Sequence, residues 1–134
     1  MSQPHITKVY HYCAAHRYYN ADWNEEKNKD VFGKDSNNHG HNYALHVTVK
    51  GEIDPGTGWV VDLGEMNVIV KQHVLDVFDH AQIEEDIEWF NDKQPSSENM
   101  VKYMWQEISK HLTDAELVRI RLVETPTIYT DYYG

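Results

Sequence analysis

Apolar and polar residues alternate in several stretches of the chain, and this period of two predicts β-strands with one buried face. Residues 6–14 are rich in β-branched and aromatic side chains and predict a first strand, which places His16 at its C-terminal end. Residues 43–53 alternate regularly and predict a second strand, which ends in a turn at residues 54–58. Val118, Ile120 and Leu122 alternate with two arginines and predict a third strand, and residues 127–133 follow as a fourth.

Two other stretches repeat at three and four residues, the period of a helix with one buried stripe. The first predicts a helix over residues 63–78, with a face formed by Met66, Ile69, Val70, His73, Val74 and Val77. The second begins near Ser96, where a serine N-cap and an acidic first turn suit the helix dipole. Its stripe is formed by Met100, Val101, Met104, Ile108 and Leu112. Residues 20–38 carry neither pattern and predict a long loop with one helical turn near Glu25.

The order strand, strand, helix, helix, strand, strand lacks the βαβ alternation of a parallel sheet. It predicts an α+β domain with a four-stranded antiparallel sheet and two helices on one face. A chain of 134 residues is large enough to bury one core, so residues 1–134 are expected to form a single domain. A polar loop as long as 20–38 in so small a domain is more often functional than idle.

Charge and cysteine content narrow the class of protein. Lys and Arg number 12 against 22 Asp and Glu, and the formal charge of -10 repels phosphate backbones and anionic membranes, which argues against a nucleic-acid partner. Cys13 is the one cysteine, so no internal disulfide forms and nitrogen ligands must carry any metal. The polar start and the lack of a long apolar run predict a soluble, cytoplasmic protein.

The His39-Gly40-His41 sequence is the strongest chemical signal in the chain. Side chains two residues apart on an extended strand point to the same face, so both imidazoles can reach one ion, and Gly40 leaves that spot uncrowded. His16, at the end of the neighbouring predicted strand, supplies a third imidazole. Three histidines with an open fourth position are how a catalytic zinc is held, whereas structural zinc is usually closed by four protein ligands. We therefore predict an open, all-histidine zinc (Zn2+) site.

The remaining histidines give weaker signals. We assign ordinary structural or surface positions to His5, His11, His46, His73 and His111. The odd offsets of His11 and His46 from the predicted zinc ligands place both on the opposite face of the sheet.

Two acidic positions have more than one interpretation. Asp79 can orient the adjacent His80 for proton transfer, but an ordinary helix end explains the pair too, and the residues alone favour the ordinary explanation. Glu124 continues the buried face of the third strand, where a carboxylate is costly unless it is paired. It either accepts adjacent N–H donors of a ligand, such as the amino-pyrimidinone edge of a pterin or guanine, or forms a salt bridge with Arg119, Arg121 or a neighbouring chain.

Ordered sequence segments resemble the 6-pyruvoyl-tetrahydropterin synthase and 6-carboxy-tetrahydropterin synthase family over nearly the whole chain. The segments are Tyr12-Cys13-Ala14-Ala15-His16-Arg17, Val31-Phe32-Gly33-Lys34, His39-Gly40-His41-Asn42-Tyr43, Gly51-Glu52-Ile53-Asp54-Pro55 with Gly58, Asp79-His80, Ser96-Ser97-Glu98-Asn99 and Val123-Glu124-Thr125. The long connection before Phe32-Gly33-Lys34 resembles the 6-pyruvoyl branch, because the 6-carboxy branch usually has a shorter one.

The resemblance implies the tunnelling fold, in which the sheets of several subunits close into a barrel and active sites lie at subunit interfaces. It implies a homo-oligomer, either a trimer or a dimer of trimers (a homohexamer), and closure removes the two exposed edges of a four-stranded sheet. The site residues that it implies are His16, His39 and His41 for zinc, Asp79 and His80 for proton transfer, and Glu124, Ser96 and Ser97 for the pterin substrate.

The chain departs from the family at Asp35, which occupies the position of the usual catalytic cysteine. In the family, that cysteine directly follows Phe-Gly-Lys. In members with a shorter loop it lies four residues before the first histidine of His-x-His. Both alignments place it at Asp35 in this chain. Cys13 is a poor replacement, because its odd offset from His16 turns it away from the predicted zinc. One branch of the family carries a carboxylate here and cleaves the pterin side chain, but with glutamate, which is one methylene longer.

These features together predict a zinc-dependent lyase that acts on 7,8-dihydroneopterin triphosphate. Asp35, or Asp79 with His80, would move the protons, and the product is either 6-pyruvoyl-tetrahydropterin or a 6-hydroxymethyl pterin. Two alternatives stay open: 6-carboxy-tetrahydropterin synthesis in deazapurine (queuosine) biosynthesis, and a pterin- or purine-binding protein without catalysis. The sequence also leaves open whether Mg2+ assists with the triphosphate.

Overall fold

A computed structural model describes residues 2–134, which form one antiparallel sheet with helices. The strands are β1 (His5–His16), β2 (His39–Lys50), β3 (Glu116–Thr125) and β4 (Ile128–Tyr132), and they neighbour one another in chain order. β2 begins four residues before the alternating stretch that predicted it, because His39 and His41 already pair with β1. The predicted α+β class is confirmed.

The helices are α1 (Glu25–Phe32), α2 (Leu63–Val70), α3 (Asp76–Phe78), α4 (Ile83–Asp86) and α5 (Ser97–His111). A π turn over Lys71–Leu75 joins α2 to α3, so these three segments occupy the helix that the sequence predicts over residues 63–78. α5 begins at the predicted serine, since the Ser96 side chain accepts a hydrogen bond from the backbone N–H of Asn99. Within residues 2–134, no helix combines the length and the apolar character that a membrane crossing requires.

The π turn has a cause in the sequence. The buried residues of this region, Met66, Val70, Val74 and Phe78, are spaced by four, and on an ideal helix of 3.6 residues per turn such a row drifts by about 40° at each step. A π turn, with its i→i+5 hydrogen bonds, holds more residues than an α-helical turn. It therefore compensates for this drift and keeps the four buried side chains facing the sheet. It also sets the direction of His73, which lies within the turn.

The predicted helical turn near Glu25 is confirmed, but the loop predicted around it is wrong, because the helical structure continues from residue 25 to residue 36. These residues form α1 and a 3-10 turn, Gly33–Ser36, which carries Asp35. Asn24 caps α1 by accepting the backbone N–H of Lys27. Asn28 is the buried residue of this helix, so the sequence carries no apolar stripe from which a helix could be predicted.

The core lies between one face of the sheet and the α2, π-turn, α3 and α5 helices. On β3 the buried positions are Leu117, Ile120 and Leu122, whereas Val118, which the sequence placed on this face, is half-buried. The reason is a register shift opposite Thr48 and Val49, which displaces one residue of β3 from strict alternation.

Candidate active site

Three histidines meet where β1 ends and β2 begins. Across the two strands, His16 pairs with His39, and Ala14 pairs with His41. The side chains of all three histidines therefore lie on the core face of the sheet, at the end where β1 finishes and β2 starts. One ring nitrogen from each lies within 4.8 Å of the others. Between the two histidines, Gly40 lets β2 lie close to β1, because a Cβ there would lie 3.2 Å from the backbone carbonyl oxygen of Ala14.

Backbone carbonyls select which ring nitrogen of two histidines faces the cluster. The Nδ1–H of His16 donates to the carbonyl of Pro95 at 2.7 Å, and the Nδ1–H of His39 donates to the carbonyl of Asn37 at 2.8 Å. The Nε2 atom of each ring is then the unprotonated nitrogen, with its lone pair available to a metal. Hydrogen bonds of this kind orient the ligands of known metal–histidine sites.

His16 is fully buried, and its Nε2 has no hydrogen-bond partner among the described residues. Burial lowers the pKa of His16, and the neighbouring rings of His39 and His41 lower it further, against the opposing effects of the Pro95 carbonyl and the Glu124 carboxylate. The imidazole is therefore neutral at pH 7, the form that a metal ligand needs. An orphaned, neutral nitrogen beside two others is a donor set that suits zinc.

Glu124 extends this cluster. One carboxylate oxygen lies 3.7 Å from Nε2 of His16 and 3.8 Å from Nε2 of His41. The pairing of β3 with β4 shifts between Val123 and Thr125, so Glu124 lies at a bulge, a feature that re-aims side chains near functional sites. The structure thus places Glu124 beside the histidines of its own chain.

Within residues 2–134, no ion pair joins Glu124 to Arg119 or Arg121, the two partners in its own chain that the sequence left open. Arg121 instead makes a bidentate pair with Asp131 on β4, with N–O distances of 2.7 and 2.9 Å. His46 lies opposite Arg121 in the sheet, on the face away from the helices, where the sequence placed it.

Asp35 approaches the cluster from the 3-10 turn. Its Oδ1 lies 3.9 Å from Nε2 of His39, and its side chain is 66% exposed. The backbone N–H of Tyr18 donates to the Asp35 carbonyl at 2.9 Å and fixes the turn against the segment after β1. Asp35 is therefore the carboxylate at the open, solvent-facing side of the histidines.

Asp79 and His80 lie at the outer edge of β1, apart from the histidine cluster. Asp79 accepts the backbone N–H of Cys13 at 3.0 Å, and its other oxygen lies 3.1 Å from Nδ1 of His80. The Cys13 N–H, and secondly His80, hold the pKa of Asp79 below its usual value. His80 has a φ of 63°, in the left-handed region that costs a non-glycine residue energy, and its side chain is 82% exposed.

The two serines lie on the opposite side of the cluster, directly after the Pro95 carbonyl that holds His16. Ser96 is occupied as the α5 cap, whereas the buried hydroxyl of Ser97 has no hydrogen-bond partner among the described residues.

Tyr43 also lies beside the histidine cluster, although the sequence analysis assigned it no role. It packs edge-on against His41, and burial followed by the charge of Glu124 raises its pKa, so its hydroxyl stays protonated. Its spacing of two from His41 is the signal that places it there.

Comparison with known proteins identifies relatives of this chain. A family model described as 6-pyruvoyl tetrahydropterin synthase matches residues 5–134. The curated 6-pyruvoyl tetrahydrobiopterin synthase of Poecilia reticulata is 35% identical over 132 residues, covering 97% of this chain and 90% of the relative. The structure of the Caenorhabditis elegans 6-pyruvoyl tetrahydropterin synthase superposes with a TM-score of 0.93 at 33% identity and covers 100% of this chain and 97% of its own. A 6-carboxy-5,6,7,8-tetrahydropterin synthase of Haemophilus influenzae is 29% identical over 120 residues, with coverage of 75% and 84%.

Proposed function

Because the chain belongs to the 6-pyruvoyl tetrahydropterin synthase family and is a pterin synthase of the lyase class, we propose that it converts 7,8-dihydroneopterin triphosphate with the help of zinc. The observation that carries this proposal is the convergence of three histidine nitrogens beside the carboxylate of Glu124. The sequence matches at 30–35% identity confirm the 6-pyruvoyl branch. The tunnelling fold follows from the superposition on the Caenorhabditis elegans structure.

His16, His39 and His41 would hold the zinc through their Nε2 atoms, since the Nδ1 positions of His16 and His39 are occupied by backbone carbonyls. When bound, zinc supplies a Lewis acid that acidifies the C–H bonds next to the side-chain oxygens of the substrate. Asp35 lies on the side from which solvent reaches the cluster, so a substrate would approach the histidines from that side.

Glu124 would anchor the pterin ring. A carboxylate can accept two parallel N–H bonds from an amino-pyrimidinone edge, and such charge-assisted bonds are the strong ones. The buried hydroxyl of Ser97 has no hydrogen-bond partner within residues 2–134, so a polar group of the ring would relieve the cost of its burial, while Ser96 keeps the start of α5 in place. The ring would then lie between β3 and the start of α5, with its side chain directed to the histidines.

Asp35 is the proposed proton-transfer group at the histidines. Its carboxylate can accept a proton from the activated carbon of the substrate side chain and return it to a neighbouring atom. Asp79 would hold Nδ1–H of His80 and leave Nε2 of that ring free to exchange a second proton. Because His80 lies on the outer edge of β1, this pair would serve a site at a subunit interface.

The assembly that pairs the edge strands of neighbouring chains would be a barrel of three chains, or two such barrels stacked. β1 and β4 are the edge strands of the sheet, and exposed unpaired strand edges are a liability that barrel closure removes. Exposed apolar side chains on or beside the edge strands, Val9, Ile128 and Tyr129, would be covered in the same way.

Product analysis tests the proposed reaction. Zinc-loaded protein is incubated with 7,8-dihydroneopterin triphosphate, with and without Mg2+, and the pterin is identified by mass. We expect turnover to 6-pyruvoyl-tetrahydropterin plus triphosphate, or to a 6-hydroxymethyl pterin because the cysteine is absent. A 6-carboxy-tetrahydropterin product would assign the chain to the deazapurine reaction, and tight pterin binding without any turnover would show a binding protein.

Two substitutions at Asp35 separate its role from that of the surrounding turn. Asp35→Asn should abolish most of the turnover, and Asp35→Cys should move the product toward 6-pyruvoyl-tetrahydropterin, because it restores the thiol of the family. Asp30→Asn, an exposed acid on α1, is the matched control and should leave rate and products unchanged. Unaltered rate and products in Asp35→Asn would assign the proton chemistry to Asp79 and His80 alone.

A further inference from the structure

A second cluster of metal-binding side chains lies at the other end of α5. His73 from the π turn meets Glu107 and His111 from the last turns of α5, and one ligand atom from each lies within 4.8 Å of the others. Glu107 and His111 are four residues apart on α5, so they project from the same side of the helix. No sequence pattern predicts that His73 lies beside these two residues. The packing of the π turn against α5 brings it there.

The two imidazoles are in an unusual arrangement. The rings of His73 and His111 are stacked with centroids 3.7 Å apart and planes 8° from parallel. Within residues 2–134 no hydrogen bond joins either ring to another protein group. The ring nitrogens of both histidines, which lie next to a carboxylate, are therefore available to bind a ligand.

We propose that His73, Glu107 and His111 bind a second divalent cation of the zinc type, independent of the histidine cluster at the active site. Two imidazoles and one carboxylate favour zinc and related late transition metals over Mg2+ and Ca2+, which prefer oxygen ligands alone. The net charge of -10 favours cation binding at the surface. Three protein ligands leave one position to water, which fits the exposed side chain of His111.

The geometry needs only a small closure. A tetrahedral ion with bonds of about 2.0 Å holds its ligands about 3.3 Å apart, so donor atoms that lie within 4.8 Å of one another need to approach by at most about 1.5 Å. Rotation of the imidazoles out of their stack can supply this shift, because His73 is half-buried and His111 is exposed. Lys110 is the cation now closest to Glu107, with an N–O distance of 3.5 Å, and its long side chain can move away.

The two metal sites would be separated by the length of α5. The active-site cluster contacts Pro95, two residues before α5 begins, and His111 is its last residue. Fifteen helical residues span about 22 Å, so neither ion would alter the ligands of the other. The second ion would tie the π turn to the end of α5 and stabilise the helical layer that packs on the sheet.

Zinc stoichiometry in the untagged full chain tests the proposal. Equilibrium dialysis against zinc with metal analysis should give two ions per wild-type chain, and one in His73→Asn/His111→Asn. His39→Ala/His41→Ala should also retain one, and zinc should raise its thermal unfolding temperature by several degrees, as expected for a ligand that binds only the folded state. His5→Asn replaces an exposed histidine outside both clusters and should keep two ions.

The proposal is overturned if the wild-type chain and His73→Asn/His111→Asn hold the same number of zinc ions at excess zinc, or if His39→Ala/His41→Ala holds none. It is also overturned if zinc raises the unfolding temperature of His39→Ala/His41→Ala equally after His73 and His111 have been replaced. Because both tests read metal content and thermal stability, they remain valid whatever reaction the active site performs.

Discussion

At the scale of single residues, backbone carbonyls orient two of the three proposed metal ligands. The carbonyls of Pro95 and Asn37 accept Nδ1–H from His16 and His39, and each ring is thereby held in one tautomer and one orientation. Less conformational entropy is then lost when a metal binds. The buried Nε2 of His16 lacks a partner among the described residues, and a buried polar atom in that state costs stability until a ligand satisfies it.

Glu124→Gln should weaken pterin binding without removing zinc. Glutamine presents one acceptor and one donor to a ring edge that offers two donors, so one charge-assisted bond is lost and one repulsive contact is created. We expect the dissociation constant for 7,8-dihydroneopterin, measured by fluorescence titration, to rise by about 100-fold, which corresponds to about 2.7 kcal/mol.

Glu116→Gln is the control for this substitution, because Glu116 is an exposed acid on the same strand. It should change neither pterin affinity nor zinc content. Unchanged affinity in Glu124→Gln would contradict the ring-anchoring role, and a parallel loss of zinc would show that Glu124 acts through the metal ligands.

At the scale of elements, α1 depends on one buried side chain. Asn28 accepts the backbone N–H of Asn20 at 2.7 Å and donates to the carbonyls of Asn20 and Asn24, both at 3.0 Å. The side chain thus fastens the preceding segment onto the helix. Since Asp35 lies in the turn that directly follows α1, the same bonds help to position the proposed proton-transfer group.

Asn28→Ala should lower the free energy of unfolding by about 1 to 3 kcal/mol, because it leaves buried backbone groups without partners. Urea denaturation measures the loss, and turnover should fall as the Asp35 turn loosens. Lys29→Ala, an exposed neighbour on α1, should alter the free energy of unfolding by less than about 0.5 kcal/mol. Equal effects of the two substitutions would remove the assigned role of Asn28.

The β3–β4 pair depends on the Arg121–Asp131 ion pair. The hydrogen bonds from Arg121 lower the pKa of Asp131, so the native state favours the charged carboxylate more than the unfolded chain does. This contribution is fully present above the unfolded pKa and is lost as the pH falls through the lower folded pKa. The ion pair therefore stabilises the protein at neutral pH and not in strong acid.

Asp131→Asn should lower the free energy of unfolding by about 1 to 2 kcal/mol at pH 7. The difference from the wild type should shrink as the pH falls below 3.8, the ordinary value for aspartate. Chemical denaturation at a series of pH values provides the comparison. A difference that is independent of pH would mean that the carboxylate charge does not contribute.

At the scale of the whole molecule, the sheet has two unequal edges. The segment from Asp79 to Gln82 covers the C-terminal part of β1, where Ala15 donates to the carbonyl of Ala81 at 2.9 Å. β4 is the other edge and carries exposed apolar side chains. The proposed barrel would cover both edges.

Light scattering at micromolar concentration should give a mass of about 47 kDa for three chains of 15.7 kDa, or twice that value. Ile128→Lys, at the start of β4, should shift the mass toward the monomer, because a charge at a strand edge opposes edge pairing. Val68→Lys replaces an exposed apolar residue on α2 and should leave the mass unchanged. A wild-type monomer would contradict the barrel proposal.

The sequence by itself determined the elements whose periodicity is strong. Alternation in the strand segments predicted the four strands, and the same parity placed His39 and His41 on one face with His16 nearby. The family was also predicted, because the matching motifs extend along nearly the whole chain, and its 6-pyruvoyl branch was predicted from the long connection before Phe32-Gly33-Lys34. Side-chain direction within an element follows from backbone geometry and needs no knowledge of what packs against it.

Only the tertiary structure decided features that depend on how elements pack. Alternation predicted that Glu124 lies on the core face, but its distances of 3.7 and 3.8 Å from Nε2 of His16 and His41 depend on how β3 packs in the sheet. Helix α1 is held by polar side-chain bonds rather than by an apolar stripe, so periodicity could not predict it. The meeting of His73 with His111 depends on the π turn packing against α5, because contacts between residues far apart in the chain are set by the fold and not by local sequence.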